Sequence, residues 1–188
     1  MTRMVVPEGS LGPSFSIRHR LLRVAFGVVW AIAARPTPRA LHRWRRLILN
    51  AFGAKLSRGV VVYPDVSVWY PPNLTMAEGA SLASGVECYC MAPVTIGAYT
   101  VISQGAYLCA GTHEVHSPSF PLVTRPITIG GSAWVAARAF IGPGVTVGDG
   151  AVLGACGVAT CDLMPWTVYV GNPAVRVRER RTEGREGR

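Results

Sequence analysis

The chain has 188 residues, enough for one domain with a sizeable hydrophobic core. Although 49% of the residues are hydrophobic, no apolar run approaches the roughly 18 residues that suggest a membrane-spanning helix, so a soluble or surface-bound protein is expected. The formal net charge of +9 is concentrated at the ends: residues 1–58 hold eleven Lys/Arg and one acid, residues 175–188 hold six and three, and residues 59–174 hold two and six. Nucleic-acid binding usually needs a basic stripe on the folded domain. The slightly acidic centre therefore argues against nucleic acid, and the basic ends favour a membrane surface or an anionic ligand.

Residues 14–34 and 38–52 are predicted to form two short helices, because the prolines of Arg35-Pro36-Thr37-Pro38 end the first and start the second. The second helix is amphipathic. Its predicted apolar face holds Leu41, Trp44, Leu47 and Ile48, and its arginines, Arg39, Arg43, Arg45 and Arg46, spread over the remaining surface.

Two roles for residues 14–52 stay open. The helices could cap the open end of a repeat stack, or they could contact a membrane surface with Trp and Arg at the level of the headgroups. A signal peptide is a further alternative, since Arg18, Arg20 and Arg23 precede the apolar residues 24–34. The distance from Met1 and the second basic segment that follows argue against export.

Apolar residues recur every six positions along the middle of the chain. They are Val62, Val68, Met76, Leu82, Cys88, Ile96, Ile102, Leu108, Ile129, Val135, Ile141, Val147 and Leu153. This period fits neither a helix nor a flat strand, and it is typical of a parallel β-helix in which three steps of six make one coil. We expect an all-β-dominated domain over residues 59–173 with rungs about 4.8 Å apart. The register is expected to end within residues 159–173. A basic helical segment (1–58) precedes the domain and an Arg-rich tail (174–188) follows it.

The step from Leu108 to Ile129 is 21 residues long, three more than one coil, so residues 114–126 are predicted to leave the stack as a loop. A loop of this length in a compact repeat domain is usually functional. His113 lies at its base, and His116 is the other histidine of the repeat region. The five cysteines contain no C-x-x-C pair, so reduced, mostly buried thiols and a cytoplasmic location are expected.

A resemblance to a known family rests on three segments: Ile102-Ser103-Gln104-Gly105-Ala106-Tyr107-Leu108-Cys109-Ala110-Gly111-Thr112-His113-Glu114, Pro126-Ile127-Thr128-Ile129-Gly130 and Trp134-Val135-Ala136-Ala137. In these the chain strongly resembles bacterial hexapeptide-repeat O-acetyltransferases, above all the colanic acid biosynthesis group, with maltose, galactoside and nodulation-factor acetyltransferases further off. The resemblance extends over nearly the whole chain. It implies a left-handed parallel β-helix that forms homotrimers, with acetyl-CoA as co-substrate in the groove between subunits and no metal. The implied acceptor is a sugar hydroxyl of an exopolysaccharide or glycolipid precursor.

The resemblance also implies roles for single residues. His113 matches the general base, which takes a proton from the acceptor hydroxyl. Ala137 matches the position whose backbone amide stabilises the negative oxygen of the reacting thioester. The positions that line the acetyl-CoA groove in the family are matched by Trp134, Ala136 and Thr160. For Trp134 and Thr160, simple packing against the wall is an equal alternative.

Two departures from the family pattern affect the binding sites. The sugar acetyltransferases usually carry Lys after the position of Thr160, where this chain has Cys161, so Arg176 or Arg178 is expected to supply the charge near the acetyl-CoA phosphates. An acceptor-contacting Asn of the galactoside and maltose enzymes aligns at Ala83, so that contact is absent. The candidates to orient the acceptor or His113 in its place are Glu87, Tyr89, Glu114 and His116.

Two other functions are alternatives to acetyl transfer. A zinc-dependent γ-type carbonic anhydrase shares the architecture, but it needs three imidazoles on its zinc, and the repeat region has only two histidines. A non-enzymatic β-helix scaffold explains the six-residue period but not the placement of His113 at the base of the loop.

Overall fold

The structure is a computed structural model that describes residues 4–5 and 15–181. Strand β1 (Met4–Val5) is followed by helix α1 (Ile17–Val29), a π-helical turn (Trp30–Ala34) and helix α2 (His42–Ala51). The Ser16 side chain caps α1 by accepting a hydrogen bond from the His19 amide at 3.3 Å. Both predicted helices are therefore present, and neither they nor any other helix of the described residues is long and apolar enough to cross a membrane.

Short strands then build the stack, three to a coil. The first three coils are formed by β2 (Lys55–Leu56), β3 (Val61–Val62), β4 (Ser67–Val68), β5 (Leu74–Met76), β6 (Ser81–Leu82), β7 (Glu87–Tyr89), β8 (Val94–Ile96), β9 (Val101–Ile102) and β10 (Tyr107–Cys109), with a 3₁₀ turn at Pro71–Asn73. After β11 (Gly111–His113) and β12 (Leu122–Thr124), the stack continues with β13 (Ile127–Ile129), β14 (Trp134–Val135), β15 (Phe140–Ile141), β16 (Thr146–Val147), β17 (Val152–Leu153), β18 (Val158–Ala159), β19 (Thr167–Val170) and β20 (Val175–Glu179).

The strands form three sheets, one on each face of a prism. Face one contains β2, β5, β8, β13 and β16; face two contains β3, β6, β9, β14, β17, β19 and β20; face three contains β4, β7, β10, β15 and β18. Every neighbouring pair in these sheets is parallel except β19 and β20. The predicted parallel β-helix, with two helices before it and a segment that leaves it, is confirmed.

The six-residue register predicts the core correctly but begins earlier than expected. All the register residues from Val62 to Leu153 are buried. The same spacing already begins at Leu56 and makes one further step after Leu153, to the buried Ala159; the next buried apolar residue on a strand, Tyr169, follows after ten residues. The register ends within residues 159–173, where β19 (Thr167–Val170) is the last strand that pairs in parallel with the stack, through β17 on face two.

The predicted apolar face of α2 is wrong at three of its four residues, since only Ile48 is buried. Leu41, Trp44 and Leu47 are between 45% and 57% exposed, whereas Arg45 is fully buried. The reason is that α2 packs on the first coil through Ile48 and Leu49, and the Arg45 guanidinium reaches the Val62 carbonyl of that coil. The prediction from apolar spacing places Arg45 on the surface, because such spacing considers only apolar side chains.

The cysteines and two segment boundaries differ in smaller ways. Cys88 and Cys90 are buried as expected, but Cys156 and Cys161 are exposed. The first coil begins at β2, inside the predicted helical segment, and β20 lies in the predicted tail.

Candidate active site

A β-hairpin carries His113 away from the stack between the third and fourth coils. Strands β11 and β12 pair antiparallel, with His113 opposite Leu122, and β1 pairs with the other edge of β12. The turn at the tip is closed by hydrogen bonds from Glu114 N–H to the Pro121 carbonyl and from Phe120 N–H to the Ser117 carbonyl, both 3.0 Å. Residues 114–126 leave the stack as predicted, but they contain strand β12, and His113 lies on a hydrogen-bonded strand.

The hairpin fixes the tautomer of His113. The Nδ1 atom lies 2.8 Å from the Phe120 carbonyl oxygen, and the two rings stack with centroids 4.6 Å apart and planes 7° from parallel. A carbonyl oxygen can only accept a hydrogen bond, so Nδ1 carries the proton and Nε2 of the neutral ring keeps its lone pair. The side chain is exposed. His113 is thus arranged to accept a proton at Nε2.

Tyr89 and Met91 support the base of the hairpin. A Cβ atom added to Gly111 would lie 2.5 Å from the Met91 sulfur and 3.4 Å from a carbon of the Tyr89 ring. Only glycine lets β11 approach these side chains so closely. Of the predicted acceptor contacts, Tyr89 is therefore placed against the strand that carries His113.

Glu87 lies elsewhere on face three. It pairs with Tyr107 across β7 and β10, and it forms no hydrogen bond or ion pair with His113 within the part of the chain that the structure describes. Burial, with smaller effects from Cys109 and Glu87, raises the pKa of Tyr107 to about 12. Glu87 is therefore a neighbour of Tyr107 on face three. The other two predicted contacts belong to the hairpin turn, where Glu114 is half-buried and His116 is exposed.

Trp134, Ala136 and Ala137 lie together at the edge between faces two and three. Trp134 stands on face two, 47% exposed, and its indole N–H donates to the Ser103 hydroxyl at 2.8 Å. The amides of Ala136 and Arg138 donate to carbonyls of neighbouring coils at 2.9 Å. The Ala137 N–H between them has no acceptor among the described residues, and the next residue, Arg138, turns the chain with a left-handed φ of 57°. Ala137 therefore offers a free backbone donor.

The remaining predicted acetyl-CoA contacts are more scattered. Thr160 follows β18 and is exposed at the edge between faces three and one. Arg176 and Arg178 are exposed on β20, at the end of face two, and Arg176 pairs with Glu179 at 3.4 Å. No three His, Cys, Asp or Glu side chains among the described residues are placed to hold a metal ion.

The predicted catalytic groups occupy two different edges of the prism. The His113 hairpin connects face three to face one, and Thr160 lies on that same edge. Ala137 lies on the edge between faces two and three. A single copy of the chain therefore separates the base from the backbone donor by the width of face three.

Comparison with known proteins decides the family. No protein-family model matches the chain. The putative colanic acid biosynthesis acetyltransferase of Escherichia coli K12 is 43% identical over 154 residues, which cover 80% of this chain and 85% of the relative. The chain belongs to the hexapeptide-repeat acetyltransferases. The galactoside O-acetyltransferase of the same organism is 31% identical over 124 residues, 60% of this chain and 61% of that relative. The family predicted from the resemblance is confirmed, and with it an acetyltransferase.

Solved structures of this family show the same fold. A galactoside acetyltransferase in complex with coenzyme A superimposes with a TM-score of 0.81 at 24% identity, covering 90% of this chain and 86% of the other. A hexapeptide-repeat acetyltransferase from Vibrio cholerae, complexed with acetyl coenzyme A, superimposes with a TM-score of 0.79 at 21% identity, covering 93% and 96%.

Proposed function

We propose that this acetyltransferase moves an acetyl group from acetyl-CoA to a sugar hydroxyl of an exopolysaccharide or glycolipid precursor, with His113 as general base. The observation that carries the proposal is the 2.8 Å contact between His113 Nδ1 and the Phe120 carbonyl. A base needs a free lone pair in a fixed direction, and this contact leaves Nε2 as the accepting atom. The colanic acid name of the relative supports a polysaccharide precursor as acceptor.

The chemistry follows from that tautomer. As the acceptor oxygen attacks the thioester carbonyl carbon, its proton passes to Nε2; the carbon–sulfur bond then breaks and the proton passes on to the departing thiolate. Such proton transfer typically contributes about 10²–10⁴ in rate.

The edge that carries Ala137 is the proposed binding site for acetyl-CoA. Its free amide is a donor for the negative charge that develops on the thioester oxygen. The half-exposed Trp134 and buried Ala136 form an apolar wall beside it, and Arg176 and Arg178 offer positive charge for the phosphates of acetyl-CoA. These residues fit a donor that is apolar at one end and anionic at the other.

Because one copy holds the base and the amide on different edges, we propose that two neighbouring copies complete each site. A closed ring of three prisms would bring the His113 edge of one copy beside the Ala137 edge of the next. Thr160, on the His113 edge, would then border the same groove. Sedimentation equilibrium should give three times the chain mass, and a monomer that retains full activity would contradict this arrangement.

Acceptor contacts belong to the hairpin side of the site. Tyr89 has the best-supported position, since it packs against Gly111 at the base of β11. Roles for Glu87, Glu114 and His116 in orienting the acceptor or His113 stay predictions. Incubating candidate glycans with acetyl-CoA and the enzyme, and measuring by mass spectrometry which of them gains one acetyl group, would identify the acceptor.

Substitution of His113 tests the mechanism. His113→Ala should bind acetyl-CoA as the wild type does, measured by calorimetry, while turnover falls by about 10²–10⁴. Val115→Ala, at an exposed position in the same hairpin, is the matched control and should keep full turnover. Unchanged turnover in His113→Ala would refute the base assignment. Absence of heat on titrating acetyl-CoA into the wild type would refute the transferase and favour a scaffold.

We also propose that the helix pair contacts an anionic membrane surface from the cytoplasmic side. Exposed apolar residues follow one face of the first helical segment at spacings of three and four: Ile17, Leu21, Val24, Val28 and Ile32. The Trp44 indole donates to the Ala33 carbonyl at 2.7 Å, which brings the exposed side of α2 next to this stripe. No acidic residue occurs between positions 15 and 64. An apolar stripe with arginines and no carboxylate suits anionic headgroups.

Vesicle binding tests this contact. The wild type should co-sediment with phosphatidylglycerol vesicles, and replacement of both Leu21 and Val28 by Ser should reduce the pelleted fraction severalfold. The control replaces Val175 and Val177, which are about equally exposed at the other end of the prism. Equal pelleting of the two double variants would contradict a specific role of the helix pair.

A further inference from the structure

A cleft of about 550 Å³ separates α1 from the first strand of face three. Its floor is formed by residues 66–69, and the indole of Trp30 donates to the Val66 carbonyl at 3.0 Å beneath it. Three arginines line the cleft: Arg20 and Arg23 from α1, and Arg35 from the end of the helical segment. Neither the sequence motifs nor the proposed chemistry at His113 accounts for this cluster.

The three guanidinium groups have no anionic partner among the described residues. Arg23 lies over the Trp69 ring at 4.0 Å from its centroid, and Arg20 and Arg35 are exposed. None of the three side chains forms a hydrogen bond or ion pair with another described residue. Asp65, which directly precedes the floor of the cleft in sequence, accepts a hydrogen bond from the Ser84 hydroxyl. Three like charges around one cleft repel each other unless an anion binds between them.

We propose that this cleft binds a phosphate or diphosphate group, and that this group belongs to the acceptor or to the lipid surface on which the acceptor is presented. Guanidinium groups bind phosphate oxygens through paired, charge-assisted hydrogen bonds, and clusters of Arg are typical of such sites. The link to the acceptor rests on the proposed acetyl transfer; the phosphate site itself does not.

The position of the cleft places it on the acceptor side of His113. It lies on the first coil, and the hairpin leaves after the third, so the two are separated by two rungs, roughly 10 Å along the axis. The predicted acetyl-CoA contacts Trp134 and Thr160 lie in the opposite direction, on the fourth and fifth coils. Arg176 and Arg178 would bind the acetyl-CoA phosphates at the far end of the prism. The phosphate proposed to bind in the cleft therefore does not come from acetyl-CoA.

A continuous aromatic wall connects the cleft to the hairpin. The rings of Trp69 and Tyr89 are 5.6 Å apart, and Tyr89 packs against Gly111 at the base of β11. A phosphate-linked glycan held by the arginines would lie along this wall with a hydroxyl directed towards His113. If the acceptor carries the phosphate, the cleft narrows the acceptor class from sugars in general to sugars on a phosphate carrier.

Binding of inorganic pyrophosphate tests the site without acetyl transfer. The wild type should bind pyrophosphate in calorimetry, more weakly as salt is added. Replacing both Arg20 and Arg35 by Ala should raise the Kd at least tenfold, which is about 1.4 kcal/mol. The matched control replaces Arg39 and Arg43, which are exposed outside the cleft and remove the same charge. Equal weakening in both double variants, or no binding by the wild type at millimolar pyrophosphate, would overturn the proposal. Circular dichroism of each variant checks that it is folded.

Two further measurements distinguish the sources of the phosphate. If the acceptor carries it, the Arg20/Arg35 double variant should show at least a tenfold higher KM for a sugar 1-phosphate, with the KM for the same unphosphorylated sugar unchanged. If a lipid headgroup carries it, pyrophosphate should release the wild type from phosphatidylglycerol vesicles and both KM values should stay constant. Pyrophosphate binding without any acetyl transfer would refute the proposed function and leave the phosphate site standing.

Discussion

Arg45 is the residue through which the helix pair is fastened to the β-helix, and its removal should destabilise the protein strongly. The side chain is fully buried. Its Nε donates to the Val62 carbonyl of the first coil at 2.6 Å, and Nη1 donates to the Thr37 hydroxyl at 2.7 Å and the Pro38 carbonyl at 3.0 Å. Nη2 donates to the Arg39 carbonyl. One cation thus joins α2, the turn before it and the first coil through four neutral oxygens.

The size of the effect follows from two opposing terms. Hydrogen bonds to a charged group contribute about 1.5–3 kcal/mol each, so four amount to roughly 6–12 kcal/mol. Burial costs a cation several kcal/mol, and this burial lowers the pKa of Arg45, an effect that Asp65 partly opposes. Arg45→Met removes the cost of burying the cation together with the four hydrogen bonds, but it leaves the four oxygens without a donor. We expect a net loss of about 3–5 kcal/mol in the free energy of unfolding.

Urea denaturation measures this loss. With a slope of about 2 kcal/mol per M, the midpoint for Arg45→Met should fall by roughly 2 M. Arg43→Met, on the exposed side of the same helix, should stay within about 0.5 kcal/mol of the wild type. Arg45→Lys should fall between them, since an ammonium cannot reach four oxygens that surround a planar fork. A midpoint for Arg45→Met equal to that of Arg43→Met would refute the role of the guanidinium.

Two further predictions concern stability. A Cβ on Gly97 would lie 2.4 Å from backbone atoms of Gly130 and Gly131, whereas a Cβ on Gly27 in α1 meets nothing within 4 Å. Gly97→Ala should therefore lower the thermal midpoint markedly, and Gly27→Ala should raise stability by up to about 1 kcal/mol. Equal thermal midpoints of the two variants would contradict this packing. Burial, and to a smaller extent the charge of Arg23, lower the pKa of His19. The unfolded chain then binds the proton more tightly than the folded one, so stability should be lost as the pH falls below about 6.5. His19→Gln should reduce the drop in thermal midpoint between about pH 7.5 and pH 5. The control is His116→Gln, and an equal drop in the two variants would refute the role of His19.

Much of the scaffold could be predicted because every coil of a β-helix requires the same kinds of residue at corresponding positions. Each coil needs an inward apolar residue at three corresponding positions, so the period from Val62 to Leu153 identifies the core and the insertion after Leu108. The face of α2 could not be predicted in this way. Apolar spacing predicts Leu41 and Trp44 as the buried residues, but Arg45 is buried because three carbonyl oxygens, from the turn before α2 and from the first coil, converge on its guanidinium.

At the candidate site, residue type pointed to His113, but its tautomer depends on main-chain geometry. The Phe120 carbonyl is brought to Nδ1 by a hairpin turn in which Phe120 has a φ of 46°, and nothing in the identity of a phenylalanine indicates that conformation. The separation of His113 and Ala137 on two edges likewise depends on which face each strand joins. The arginine cleft combines residues from α1 and the first coil, and only their packing brings them together.

The hairpin that carries His113 interrupts the chain without interrupting the stack. Strands β8, β9 and β10 of the third coil pair directly with β13, β14 and β15 of the fourth, in the register that unbroken coils use. Its ends are held by hydrogen bonds from Arg125 N–H to the Ala110 carbonyl and from Ile127 N–H to the Pro93 carbonyl, both 3.0 Å. The segment between those anchors can therefore change in length and composition at little cost to the scaffold. With the acceptor contacts proposed for the hairpin, exchanging hairpin tips among relatives should change acceptor preference while the stability of the scaffold is kept.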